Sequence, residues 1–291
     1  IAESEIEGEI EIEKEMVKPL IKGKEIKRWK IPDSGKIVVY PYDVEEDGGK
    51  VMDKKEIEEN YPLAWNYFKA TESELKSREG GKWQDVEDWH ALTRVRSDNI
   101  EKFNQEKAVI AGLANQSKVA YDEGRDYIFV AGGYGLSLKD SADISYPYLV
   151  SVVNSRLLEW MVQETSSEFS GDSYSYGEKY IEDLPIPTGS QETAITELSN
   201  DIIELVNNSR EENSEEIGVL ENTIDFLTYE MYFDEFSDKL LQEISEYKGL
   251  EPKEKATAIE GSSKVEKVVR EMKDEKKVQM VENGKIRSDT W

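Results

Sequence analysis

Apolar residues recur along this chain with two different periods. The stretch Ile6-Glu7-Gly8-Glu9-Ile10-Glu11-Ile12-Glu13 alternates with period two, which predicts a strand with isoleucines on one face and carboxylates on the other. K-I-V-V-Y-P-Y at 36–42 is a β-branched and aromatic run ending at Pro41, a second strand, followed by an acidic Gly-Gly turn at 45–49. A helix is predicted from Tyr61 to Arg78, with Asn60 as its cap, Pro62 in its first turn, and Trp65, Phe68 and Leu75 on its buried side. From 83 to 138 short aromatic and aliphatic pieces broken by glycine predict the strands and turns of a mixed sheet.

Residues 146–164 are apolar on most sides and predict a central buried helix. A Ser, Gly and Tyr-rich loop follows and stops at Pro185-Ile186-Pro187. Beyond it Ile195, Leu198, Ile202 and Leu205, then Ile217, Leu220, Ile224, Leu227 and Met231, step by three and four. That is the spacing of two helices packed as an antiparallel pair, so these stripes are core. A helix at 235–248 comes next. The Lys and Glu-rich tail from 250 predicts a helix near 263–277 and, at Asn283-Gly284, a hairpin, or else a loosely attached extension. The fold class is therefore α+β: a mixed, strand-rich lobe over 1–189, a helical lobe over 190–250, and a charged C-terminal extension over 251–291.

Composition narrows the chemistry. The 291 residues suffice for one large or two modest domains, and six Trp and fifteen Tyr are too much apolar surface for a disordered chain. No apolar run is long enough to span a bilayer, and residues 1–15 lack the basic start and apolar centre of a signal peptide, so a soluble, cytoplasmic protein with no membrane partner is expected. With no cysteine, disulfides, zinc knuckles and thiol chemistry are excluded. The single histidine, His90 between Trp89 and Ala91, has none of the spacings of a metal ligand and is expected to be packed or at the surface; no catalytic or metal-binding residue is assigned. A-G-G-Y-G-L at 131–136 lacks the spacing of a phosphate-cradling loop, and its glycines are expected to form turns. A chain that begins at Ile1 without Met is expected to be a piece of a longer protein.

Charge supplies the contrast that matters most. Against 37 Lys and Arg stand 63 Asp and Glu, a net charge of −26, yet Lys18, Lys22, Lys24, Lys27, Arg28 and Lys30 crowd into residues 17–30 with Glu25 as the lone acid. Acidity overall does not exclude DNA binding, because affinity for phosphate depends on where the cations sit.

The ordered set K-P-L-I-K-G-K-E-I-K-R-W, Y-P-Y, Y-P-L-A-W-N-Y-F-K with L-K-S-R-E, W-H-A-L-T-R, K-A-V-I, Y-L-V-S-V-V-N-S-R-L-L-E-W, E-K-Y-I-E-D-L-P-I-P and I-D-F-L-T-Y-E-M-Y spans residues 17–236. It resembles the C-terminal target-recognition domain of N6-adenine DNA methyltransferases, and most closely the TaqI-like specificity domain of methyltransferases and fused type II restriction-modification enzymes. The resemblance implies a module that docks double-stranded DNA and reads a short sequence, while a separate domain of the same polypeptide transfers methyl from S-adenosylmethionine. That methyltransferase domain would be a partner outside this chain, which contains neither an Asn/Asp-Pro-Pro-Tyr/Phe motif nor a Phe-x-Gly-x-Gly loop and so has no cofactor of its own.

A DNA-reading surface needs cations along the phosphates and hydrogen-bonding side chains at the base edges. Lys22, Lys24, Lys27 and Arg28 are the candidates for the phosphate-facing rim. Arg94 and Arg96, alternating with Val95, would point to one face of a strand, and Arg is the common bidentate partner of guanine. Ser173, Tyr174, Ser175, Tyr176 and Lys179 form a second polar cluster. The competing roles are solvated lysines, ion pairs for the two arginines, and core packing for the tyrosines. The alternative functions are an acidic interaction protein or DNA mimic, which the cation clusters argue against, and a Mg²⁺-dependent nuclease, for which carboxylates this abundant are no evidence.

Overall fold

The computed structural model describes residues 1–45, 48–92, 105–124, 128–130, 132–169 and 172–283. The fold is α+β. Two compact units are built from interleaved segments, Ile1–Ile21, Asp33–Glu106 and Glu123–Val130 in the first, Lys22–Pro32, Lys107–Asp122 and Ala131–Trp291 in the second, so the division does not fall after residue 189.

In the first unit the period-two stretch at 6–13 is not one strand. Strands β1 (Ala2–Ser4) and β2 (Gly8–Ile10) pair as a hairpin, Ala2 opposite Ile10. The Ser4 hydroxyl accepts hydrogen bonds from the Ile6 and Glu7 N–H groups at 3.2 and 3.3 Å, and Gly8 takes a positive φ of 73°. This side-chain-closed turn competes successfully with extension and leaves Ile6 exposed. Strand β3 (Val17–Lys22) pairs antiparallel with β4 (Ile37–Val39) and carries β10 (Ile128–Val130) on its other edge. Strands β5 (Tyr42–Glu45) and β6 (Gly48–Val51) pair antiparallel, Tyr42 opposite Val51.

The single helix expected over 61–78 is divided. Helix α1 (Lys54–Asn60) ends where a cap was expected, α2 (Pro62–Ala70) starts with Pro62 at its first position, and α3 (Glu72–Gly81) follows a break at Thr71. The first free N–H groups of α2, on Leu63 and Ala64, are each bound at 2.8 Å by the carboxylate of Glu13, fifty residues away. No local pattern announces such a cap. Phe68 packs with Met16, Met52, Ile57, Ala64 and Trp89, and Trp65 and Leu75 close on the same core as expected. The W-Q-D-V-E-D-W piece is a series of turns and not a strand.

His90 is packed in this unit. It is 2 % exposed, its Nε2 lies 3.0 Å from the Met52 carbonyl, and its ring meets those of Phe68 and Trp89 at 5.7 and 5.9 Å. Burial disfavours the imidazolium and pulls its pKa below the usual histidine value.

In the second unit β7 (Lys107–Ala111), wholly buried, lies between β9 (Val119–Asp122) and β11 (Gly133–Leu136), antiparallel to both. A smaller sheet joins β8 (Leu113–Ala114), β13 (Ser173–Ser175) and β12 (Glu168–Phe169). The central helix expected at 146–164 is two, α4 (Tyr146–Asn154) and α5 (Arg156–Thr165), because Ser155 is extended and its hydroxyl caps α5 through the Leu158 N–H. A short helix α6 (Glu178–Ile181) precedes the two prolines. Helices α7 (Glu192–Ser209) and α8 (Ser214–Tyr232) pack together across a short connection, burying Ile195, Leu198, Ile202 and Leu205 and also Ile217, Leu220, Ile224 and Leu227.

After α9 (Lys239–Ile244), the tail is not a loose extension as far as it is described. Helices α10 (Pro252–Glu260), α11 (Ser263–Lys273) and α12 (Lys276–Glu282) bury Ala256, Ile259, Met272 and Val278, and the buried Lys255 ammonium meets Asp201 at 2.5 Å. Helix α12 occupies the approach to the expected hairpin, whose Gly284 lies outside the described residues.

Only one glycine of the 131–136 motif both lies outside a strand and is described: Gly132 turns the chain at φ 78°, while Gly133 and Gly135 belong to β11. The Gly132 carbonyl accepts the Gly112 N–H at 2.6 Å and lies against the backbone of Gly23, where an added Cβ would collide with it. This contact seats residues 23–25 on the sheet.

Two outcomes follow. Gly23→Ala is expected to lower stability by about 1–3 kcal/mol through overpacking against backbone, read as a fall in melting temperature; an unchanged melt would mean the two backbones separate freely. For His90 the folded pKa lies below the unfolded value of about 6.5, so its stabilising contribution is present above that pH and is lost as pH falls through the folded value. His90→Phe should therefore show a smaller drop in melting temperature than wild type between about pH 7.5 and about pH 5.

Candidate nucleic-acid interface

Residues 22–32 carry most of the basic stretch and belong to the second unit. Gly23–Glu25 forms one 3-10 turn, closed by the Ile26 N–H on the Gly23 carbonyl, with the Glu25 carboxylate accepting the Lys22 N–H at 2.8 Å. The turn lies against β7, β8 and β11 and holds Lys24 outward. There Lys24 lines a concavity with Leu113, Asn115, Lys118 and Ser173, floored by Ala111 and Ala114.

The small sheet shapes the rest of this face. Antiparallel partners project to the same side, so Leu113 and Ser175 share a face with Ser173 and Phe169. Leu113 and Phe169 are 51 % and 48 % exposed on it, while Tyr174 and Ala114 point the other way and are buried. Among the described residues neither Lys24 nor Lys118 has an ion-pair partner, and the Asn115 amide has no hydrogen bond. Unpaired cations and a free amide are informative in a protein with 63 carboxylates.

Arg28 faces inward. Its Nε donates to Glu221 at 2.7 Å and its Nη1 to the carbonyls of Asn154 at 2.6 Å and Ser117 at 3.5 Å. Trp29 Nε1 donates to the same Glu221 oxygen, and Arg210 donates to the Arg28 carbonyl at 2.7 Å. Burial works against the charge of Arg28, but Glu221, Asp225 and Glu159 outweigh it and leave its pKa raised. Asp225 accepts the Arg156 N–H at 2.8 Å and is pushed up to about 7 by burial, with Arg28 and Arg156 acting in the opposite sense. Arg156 also pairs with Glu282. This cluster is an ion network of the fold, and it commits the 13 % exposed Arg28 side chain to protein acceptors and not to a phosphate rim.

The other candidates divide in the same way. Lys27 is exposed and Lys22 half-buried. The segment expected to be a loop contains strand β13: Tyr174 within it and Tyr176 just after it are 8 % and 1 % exposed and pack inward, so neither ring offers a contact, while Ser173 stays at the surface with Lys24. Lys179 is exposed, its ammonium 4.6 Å from the Tyr180 ring centre. Arg94 and Arg96 lie outside the described residues. The structure thus brings together Lys24 and Ser173 and adds Leu113, Asn115 and Lys118. The missed residues had a signal: N-Q-S-K at 115–118 is a polar interruption between two apolar strand pieces, the pattern of an exposed reversal. Among the described residues no group of His, Cys, Asp or Glu is placed to hold a metal ion, and no helix is long and apolar enough to cross a membrane.

Comparison with known proteins gives a consistent picture. The family model for the TaqI-like C-terminal specificity domain matches residues 18–186. Over 192 residues, 62 % of this chain, the sequence is 23 % identical to the type II restriction enzyme and methyltransferase RM.Eco57I of Escherichia coli, of which the match covers 19 %. Over 179 residues it is 23 % identical to the type II methyltransferase M.BstVI of Geobacillus stearothermophilus, of which the match covers 29 %. The chain thus spans less than a third of the length of these relatives.

The inward role of Arg28 has a direct consequence. Arg28→Ala leaves Glu221 without its main partner and should cost on the order of 3 kcal/mol in a denaturant melt. Arg28→Lys should recover only part of it, because an ammonium cannot reproduce the guanidinium fork that reaches Glu221 and two carbonyls together.

Proposed function

Because the chain belongs to the TaqI-like C-terminal specificity domain family, with residues 18–186 matched, we propose that it is the DNA target-recognition module of a type II restriction-modification methyltransferase acting on adenine N6. The observation that carries this reading is the convergence, inside the matched region, of the unpaired Lys24 and Lys118 with Asn115 and Ser173 on one concave face. Cations hold phosphates and set register, and amides and hydroxyls read base edges. Exposed Lys27 and Lys179 extend the phosphate-facing set, and Arg94 and Arg96 remain proposed guanine readers. In this reading the bound partner is double-stranded DNA, the setting is the cytoplasm, and the methyltransferase domain is a further part of the same polypeptide.

That further part would also hold S-adenosylmethionine, which supplies the methyl group. The residues of this chain do not fit the methyl donor, since neither the Phe-x-Gly-x-Gly loop nor the Asn/Asp-Pro-Pro-Tyr/Phe motif is present in it. Its own work is to dock and orient the duplex. A net charge of −26 repels DNA at long range, so local cations must outweigh the global field at the contact.

Salt dependence tests the assignment. If Lys24 and Lys118 each neutralise one phosphate, the Lys24→Glu/Lys118→Glu double variant should weaken binding to all duplexes alike and flatten the log-log salt slope by about two units, measured by fluorescence anisotropy over a salt series. A slope equal to that of wild type would remove this face as the phosphate path.

A further inference from the structure

Asn115 and Gln116 are adjacent amides at the reversal after β8, and both are exposed, yet they belong to different surroundings. Gln116 borders a concavity of Arg28, Arg156, Arg210, Glu221 and Asp225, whose arginines are already engaged by those carboxylates and by a backbone carbonyl. Asn115 borders the concavity of Lys24, Lys118 and Ser173. Its amide has no hydrogen-bond partner among the described residues, so both its donor and its acceptor are available. Two cations without ion pairs line the same concavity, and an ammonium group is suited to a phosphate contact.

An amide with a free donor and acceptor matches one base edge in the major groove: adenine offers N7 as acceptor and N6–H₂ as donor, and Asn makes the bidentate pair. We propose that Asn115 is a specificity-determining residue that reads one adenine of the target site from the major groove, between phosphates held by Lys24 and Lys118. The inference rests on the DNA-recognition reading above and adds to it a single residue and a single base. Ser173, on the strand beside β8, lines the same concavity and supplies a hydroxyl with no preference of its own.

The test is a selection of bound duplexes from a library with a randomised core, carried out with the complete 291-residue chain. Asn115→Ala is compared with Gln116→Ala and with wild type. The expected result is that Asn115→Ala loses preference for adenine at one position by about five- to a hundred-fold, while its affinity for non-cognate duplex and its melting temperature stay at wild-type values. Gln116→Ala should retain the full preference. The inference is overturned if Asn115→Ala selects the wild-type sequence, or if the preference it loses is for a base other than adenine. Failure of wild-type chain to bind any duplex would instead overturn the DNA-recognition reading itself, and base reading by Asn115 with it.

Discussion

The arrangement of the second unit depends on where the Arg28 guanidinium goes. In a basic stretch of this kind every cation could be solvated, but Arg28 donates to Glu221 on α8 and to the carbonyls of Asn154 and Ser117, so one side chain joins residues 22–32 to the helical pair, to the end of α4 and to the reversal before β9. Neighbouring bonds reinforce it. Trp29 donates through its indole to Glu221 and through its backbone to the Val119 carbonyl at 2.9 Å, and Arg210 binds the Arg28 carbonyl. A guanidinium suits this position because its fork satisfies several acceptors in fixed directions. With Arg28 held inward, the short turn before it fits against the sheet and Lys24 is held outward.

The same constraint reconciles the chain's acidity with the proposed phosphate contacts. Many carboxylates are committed within the fold: Glu221 to Arg28, Asp225 to Arg156, Asp201 to Lys255, and Glu13 and Glu230 to the N–H groups at the starts of α2 and α9. The cations around Asn115 are not spent in this way. Potential near a surface is set by the charges within about a Debye length, roughly 8–10 Å at ordinary salt, so a local cationic face can operate inside a strongly negative whole. In the proposed role the remaining acids act on long-range encounter and on the salt dependence of binding.

Legibility in the sequence followed the range of the interactions involved. The helical pair was readable because its apolar residues are three and four apart and meet on one face, and Pro62 marked a helix start because ring geometry suits the first position. The breaks inside the predicted helices were not readable. Ser155 interrupts an apolar run that periodicity alone would carry through, and its capping competes with a helix only where the packing of α4 and α5 rewards a bend. The isoleucines at 6–13 misled for a related reason: period two allows a strand, but a Ser4 hydroxyl able to bind two N–H groups makes a turn equally accessible. At the candidate site charge marks Lys24 and a polar cluster marks Ser173, whereas Asn115 and Lys118 sit among four polar residues between strands that look like any reversal.

The sequence by itself determined the α+β class, the helical pair and the presence of a cationic stretch in an acidic chain. Each of these rests on composition or on neighbours within a few positions. Only the tertiary structure decided which cation turns inward, which tyrosines and which histidine are core and which free amide shares a concavity with two lysines. Arg28 and Glu221 are 193 positions apart, and nothing in the residues around either one encodes the other. Local periodicity records which side chains share a face of one element. The partner of that face is chosen by packing, and that choice divides a run of similar cations into those held by an ion network of the fold and those left on an open surface.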